Sequence, residues 1–250
     1  MKTFASCALR MAVPAAFICS SFAFANPGLT SSAMYLDATG DIASGISTGG
    51  GTLDLVSMEV SNTASDVIFK LTVNGSLSST DWGKFMIGIS TGAGATSGNG
   101  WGRPINMTSN GGMTHWVGSW VDGGGGSQFW NYSGSAWSGP AGLAGFSFTS
   151  GAQSTLTYTV SMASLGVSNG STLYFDAYSS GGGGGDSAVD ALSRSDASIS
   201  NWGGPFTTAG IAAGVDASTS GGAFAFTIVP APGALALLGA ATLVGSRRRR

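Results

Sequence analysis

Alternating apolar and polar residues, interrupted by runs of glycine, restrict this chain more than any other feature. Successive side chains of a β-strand point to opposite faces, so a period of two marks a strand with one apolar face. Val56, Met58 and Val60 alternate with Ser57, Glu59 and Ser61, and Val67, Phe69, Leu71 and Val73 alternate with Ile68, Lys70 and Thr72. The polar segment Asn62 to Asp66 joins the two runs, which predicts a hairpin. The same period recurs at Phe85, Ile87 and Ile89, at Trp116, Gly118 and Trp120, and at Phe146 and Phe148. It continues at Leu156, Tyr158 and Val160 and at Leu173, Phe175 and Ala177, and Ala223 to Ile228 predicts a last strand. No helical period is sustained between the two ends of the chain, although Ser161 to Leu165 and Ala188 to Leu192 each have room for one helical turn. Glycine makes up 42 of 250 residues without a collagen period, and it gathers in loops such as Gly49 to Gly51, Gly123 to Gly126 and Gly181 to Gly185. Many short strands between glycine-rich turns predict an all-β protein, a jelly-roll-like β-sandwich, with a barrel as the alternative.

The two ends follow other rules. Lys2 and Arg10, an apolar stretch from Met11 to Phe24 and the small-x-small triplet Ala23-Phe24-Ala25 predict a signal peptide over 1–25, cut before Asn26 by signal peptidase. An N-terminal membrane helix is the competing reading, but the run is short for a span. At the other end, Val229-Pro230-Ala231-Pro232-Gly233 breaks the chain. The apolar run Ala234 to Val244 follows, and Arg247, Arg248, Arg249 and Arg250 close the sequence. Prolines keep a segment extended, an apolar run can enter a bilayer, and clustered arginines stay on the cytoplasmic side.

Residues 229–250 therefore resemble the PEP-CTERM sorting signal, with Ala231 where the commonest form has Glu. The resemblance implies Gram-negative export and recognition of Pro230 and Pro232 by an exosortase-type protease. It also implies transient membrane contact through a short C-terminal helix, then transfer to the cell surface or release. An uncut tail anchor is the plainer alternative. The expected organisation is a signal helix over 1–25, one β-sandwich over 26–228 and a sorting tail over 229–250.

Without its ends, the chain changes character. Cys7 and Cys19 both lie in the signal peptide, which leaves no disulfide and no thiolate metal site. Lys70, Lys84, Arg103 and Arg194 face twelve acids, a net charge of −8. An acidic domain with scattered cations is a poor partner for a phosphate backbone, so nucleic acid is not expected.

Catalysis has few candidates. His115 is the only histidine, and if the Trp116–Trp120 side of its strand faces the core, His115 faces solvent. No Gly-x-Ser-x-Gly presents a nucleophile. Glu59 and Asp176 are the strand acids that could form a glycosidase pair, although the alternation turns Glu59 outward. Asp37 with Asp41, and Asp186 with Asp190, are spaced four apart beside glycines, which suits calcium. Turn capping by aspartate explains either pair equally well.

Aromatic residues point elsewhere. Six of seven tryptophans lie between residues 82 and 137. Trp116 and Trp120 read as core. Trp101, Trp130 and Trp137 stand among Gly, Ser and Asn and read as exposed, and Trp82 could be either. An indole stacks on a sugar ring while amides and guanidinium groups take the hydroxyls. Trp82, Trp101, Arg103, Gln128, Trp130, Tyr132 and Trp137 are thus the candidate glycan-binding residues. The order Asp37 to Asp41, the 53–73 hairpin, Asp81-Trp82-Gly83-Lys84 and Trp116 to Trp120 is similar to family 9-type carbohydrate-binding modules and their DOMON-like relatives. That resemblance spans about 34–195 and implies a sugar-binding sandwich, sometimes with calcium. The leading expectation is a non-catalytic, polysaccharide-binding surface module. A structural matrix protein without a specific ligand comes second, and a glycoside hydrolase third.

Overall fold

The hairpin read from the sequence forms the middle of one sheet. The computed structural model describes residues 31–92, 94–209 and 222–230. The predicted signal peptide lies outside the described residues, as do Pro232, the apolar run and the four arginines of the tail. Strands β1 (Ser31–Leu36), β2 (Leu55–Asn62), β3 (Asp66–Val73), β9 (Gly145–Thr149) and β10 (Ser154–Ser161) make a five-stranded antiparallel sheet in the order β1-β2-β3-β10-β9. A register shift between Leu55 and Ser57 carries Val56 off the apolar face, and Val56 is only half-buried.

The second sheet holds β4 (Lys84–Ser90), β6 (His115–Trp120), β7 (Gly126–Tyr132), β8 (Trp137–Ala141), β11 (Thr172–Ser180), β12 (Asp190–Ala191) and β14 (Phe224–Thr227). Its order is β12-β11-β4-β6-β7-β8, with β14 also on β11, and every pairing is antiparallel. β5 (Ile105–Met107) and β13 (Phe206–Thr208) form a separate short parallel pair. The one α-helix among the described residues, α1 (Met162–Leu165), is capped by Ser161 Oγ, which accepts from Ser164 N–H at 3.0 Å. Ala188 to Leu192, offered as a helical turn by the sequence, instead contains β12. Asp190 and Ala191 are paired with Ser179 and Tyr178, which extends this segment.

The inner faces of the two sheets enclose one apolar layer. Val60, Phe69, Leu71, Leu156 and Tyr158 come from the first sheet, and Phe85, Ile87, Val117, Phe129 and Phe175 from the second. Phe175 meets Phe69 edge-on at 5.6 Å and Tyr35 at 5.0 Å. Hence the chain is mostly β, two antiparallel sheets sandwiched around a shared core.

The second sheet buries its other face as well. Met86, Trp116 and Tyr178 project from it under a cover of loops and the β5–β13 pair, which supplies Ile46, Leu53, Ile105, Met107, Met113, Ile199 and Phe206. This double burial reverses the expected sense of β6. Trp116 and Trp120 point away from the shared core, and Val117 points into it. His115 is therefore enclosed rather than solvated. It is 5% exposed, stacks on Phe129 at 5.5 Å and lies 2.9 Å from Thr114 Oγ1.

The last described segment is fastened at one end of the sandwich. Ile228 N–H donates to Ser171 O at 2.9 Å, and Gly170 N–H to Ile228 O at 2.8 Å. The buried Asn62 donates from Nδ2 to Val229 O at 3.0 Å. Val229 is half-buried and Pro230 exposed. Among the described residues no helix is long and apolar enough to cross a membrane.

Candidate functional site

A cleft of about 270 Å³ opens on the outer face of the second sheet, lined by Lys84, Trp101, Arg103, Trp120, Gln128 and Gly184. Backbone spacing makes it possible. Trp101 comes from the loop before β5 and lies flat over β6, where Gly118 leaves room. A Cβ there would stand 2.1 Å from Trp101 Cζ2. Gly126 does the same beneath Trp120, where a Cβ would come within 2.3 Å of Cζ2. Any larger residue at either position would displace an indole. Gln128 Oε1 then accepts from Trp101 Nε1 at 2.8 Å and from Trp130 Nε1 at 3.3 Å, locking both rings against β7.

Arg103 closes the opposite wall. It is 7% exposed, and its Nη1 donates to Ser180 Oγ at 2.8 Å, Asp186 O at 3.1 Å and Gly181 O at 3.3 Å. These bonds tie down the glycine loop after β11. The guanidinium also sits 5.5 Å from the Trp101 ring centre. Lys84 Nζ donates to Asp122 Oδ1 at 3.0 Å and to Trp82 O at 3.2 Å.

Of the sequence candidates for sugar contact, Trp101, Arg103 and Gln128 line this cleft. The others do not. Trp130, Tyr132 and Trp137 run along β7 and β8, with Tyr132 and Trp137 paired at 5.4 Å. Trp82 packs edge-on to Trp202 at 6.1 Å. Trp101, Trp130 and Trp137 are half-buried rather than exposed, because they pack against the apolar cluster on the outer side of the second sheet. Trp120, read as core, lines the cleft, and Lys84 joins it. Both lie on the same face as Gly118, and the sequence carries no signal that this face opens to solvent near Trp120.

The acids regroup too. Asp37 and Asp41 meet Asp190, with ligand oxygens all within 4.8 Å of one another. Asp186 is elsewhere and caps its own loop, where Oδ2 accepts from Gly183 N–H at 2.8 Å. The expected Asp186–Asp190 pair is separated because β12 carries Asp190 back across β11. Asp190 Oδ2 accepts from Leu55 N–H at 2.7 Å and Oδ1 from Ala191 N–H at 2.8 Å. Asp37 Oδ2 and both oxygens of Asp41 are enclosed with no partner among the described residues. Burial first, then the charges of Asp190 and Asp41, drive the Asp37 carboxyl far above the carboxylate range. Burial and Asp41 do the same to Asp190, and burial lifts Asp41 to about 6. Three converging carboxylates, two of them with unpartnered, enclosed oxygens, fit a hard cation that takes oxygen ligands.

The two acids considered for glycosidase chemistry lie in different sheets. Glu59 projects from the first sheet's outer face and accepts from Ser32 Oγ at 2.7 Å. Asp176 lies in β11 of the second sheet, fully buried, and accepts from Ala177 and Ser193 N–H, Ser193 Oγ and Thr208 Oγ1. Burial outweighs those bonds and lifts its carboxyl to about 7. The two carboxyls cannot flank one glycosidic bond. No family model, curated protein or solved structure matches this chain.

Proposed function

We propose that this is an exported, non-catalytic glycan-binding module, a jelly-roll-like sandwich that the PEP-CTERM-like tail directs to an exosortase-type protease and so to the Gram-negative surface or matrix. One observation carries the binding half of this reading. The cleft has two indoles, Trp101 and Trp120, seated on glycines beside the amide of Gln128 and the guanidinium of Arg103. Flat apolar rings beside fixed donors match a pyranose, which has C–H bonds on its faces and hydroxyls around its rim. Titration of the purified full chain against soluble oligosaccharides tests it. Trp101→Ala should weaken binding about tenfold or more, at the upper end of what one stacked ring supplies. Undiminished binding in that variant rejects the cleft as the site.

The sorting half rests on the tail sequence. Mass spectrometry of surface-derived protein should find a C-terminus near Pro230 to Pro232, whereas an intact Arg250 would leave only a plain anchor. A structural role without ligand is the second reading, favoured by the cleft's small volume, and failure of all glycans to bind would establish it.

A calcium ion among Asp37, Asp41 and Asp190 completes the proposal. It would join the loop after β1 to β12, and the unpartnered oxygens support it. Saturating calcium should raise the melting temperature over chelated protein by several degrees. Identical melts with and without chelator would remove the ion from the proposal.

A further inference from the structure

We propose that the cleft prefers a carboxylate-bearing sugar, a hexuronate unit whose ring lies against Trp101 and Trp120 while its carboxylate meets the guanidinium of Arg103. This rests on the glycan-binding reading of the same cleft. The four cations of the described residues have different circumstances. Lys84 is ion-paired with Asp122 at 3.0 Å, and Arg194 with Asp196. Lys70 is exposed on the first sheet's outer face, opposite Glu59 in the register. Arg103 alone is buried, and among the described residues it has no carboxylate within ion-pairing distance.

The Asp186 carboxylate attracts Arg103 without direct contact, and a buried charge with no carboxylate in contact is costly to keep. The loop-clamping bonds explain only part of it, since all three go to Nη1. Nε and Nη2, which carry three of the five N–H groups, meet no acceptor among the described residues. With Nη1 in use, that edge of the guanidinium is the one left to meet a carboxylate with two parallel bonds. The Trp101 ring centre lies 5.5 Å from the guanidinium carbon, so the ring and the charge are neighbours in the lining of the cleft. A neutral sugar would leave this edge to water. Gln128 cannot supply the selectivity. Its Oε1 already serves two indoles, so it offers mainly its N–H donors, which any hydroxyl satisfies. The domain's excess of acid also gives no general attraction for an anion. Selection would thus reside in one buried side chain rather than in a basic patch.

Calorimetric titration of the purified full chain with tetragalacturonate, its methyl ester and cellotetraose separates the cases. The ester keeps the ring and removes the charge. The expected result is roughly tenfold tighter binding of the acid than of the ester, the gain of a charge-assisted pair. Arg103→Lys keeps the charge and loses the fork, and it should narrow that preference to about threefold or less. Because Arg103 also clamps a loop, a thermal melt accompanies the variant, and if it does not fold the acid–ester comparison in the unaltered protein decides. Equal affinity for acid and ester overturns the uronate assignment and leaves glycan binding standing. A full acid preference in folded Arg103→Lys overturns the role of Arg103. No binding of any of the three overturns this inference, and the wider oligosaccharide titration then decides the glycan reading itself.

Discussion

The two faces of the second sheet are both buried, but they are built in opposite ways. The inner layer is made by strands packing on strands, so each member follows from alternation along its own strand. The outer layer is made by loops and the short β5–β13 pair, brought from residues 42–53, 99–113 and 188–206 and laid over Met86, Trp116 and Tyr178. One face depends on local pattern, the other on contacts between distant parts of the chain. The cleft lies on the second, at the margin where the loop cover stops. Ligand sites in such a molecule are expected at that margin, where apolar side chains are already gathered and loops can vary without disturbing the sandwich.

The inner layer is the place where substitution should cost most. Phe175→Ala opens a cavity among Phe69, Tyr35 and Phe224, and should lower unfolding free energy by about 3–5 kcal/mol in a denaturant titration. A loss no larger than that of an outer-layer truncation would erase the distinction between the faces. Gly118→Ala acts on the outer face of β6, which β4 separates from β11 in the same sheet. It should force Trp101 off its seat, at about 1–3 kcal/mol in the same assay, and abolish the proposed oligosaccharide binding. Intact binding in that variant would show that Trp101 does not need its present position.

The smallest effect depends on pH. Burial holds the His115 imidazole at about 4, below its ordinary value, so the folded state favours the neutral ring. Its contribution is full above pH ~6.5 and is lost as pH falls towards 4, where the unfolded chain takes up the proton first. The buried carboxyl of Asp176, raised to about 7, works in the opposite sense: its contribution is full below the ordinary carboxylate value and fades as pH rises through 7. Comparing His115→Phe with the unaltered protein isolates the histidine. The variant should gain on the order of 1–2 kcal/mol relative to the parent between pH 7 and pH 5. Parallel pH profiles would place His115 in contact with water after all.

This contrast also explains what the sequence could tell. The β2–β3 hairpin was legible because Met58, Val60, Phe69 and Leu71 face one buried layer while Glu59 and Lys70 face water. β6 was legible as a strand but not in its sense. Val117 and Trp116 are both fully buried, so neither side of the alternation marks the shared core. His115 was misplaced for that reason. Trp101, Arg103 and Gln128 could be named by chemistry, but Trp120 could not, since its exposure depends on where a distant loop ends. The acidic trio was half legible. Asp37 and Asp41 are neighbours in sequence, whereas Asp190 arrives through the pairing of β12 with β11, which nothing local announces.

The fastening of Ile228 and Val229 beside the start of β11 fixes a direction as well as an end. β11 runs from Thr172, next to that fastening, to Ser180, which bonds Arg103 at the cleft wall. The nine residues of β11 span the two points, roughly 27 Å of extended chain. The cleft and the point where the described chain leaves the sandwich therefore lie at opposite ends of one strand, so a tail held at a surface, as proposed, would leave the cleft facing away from it.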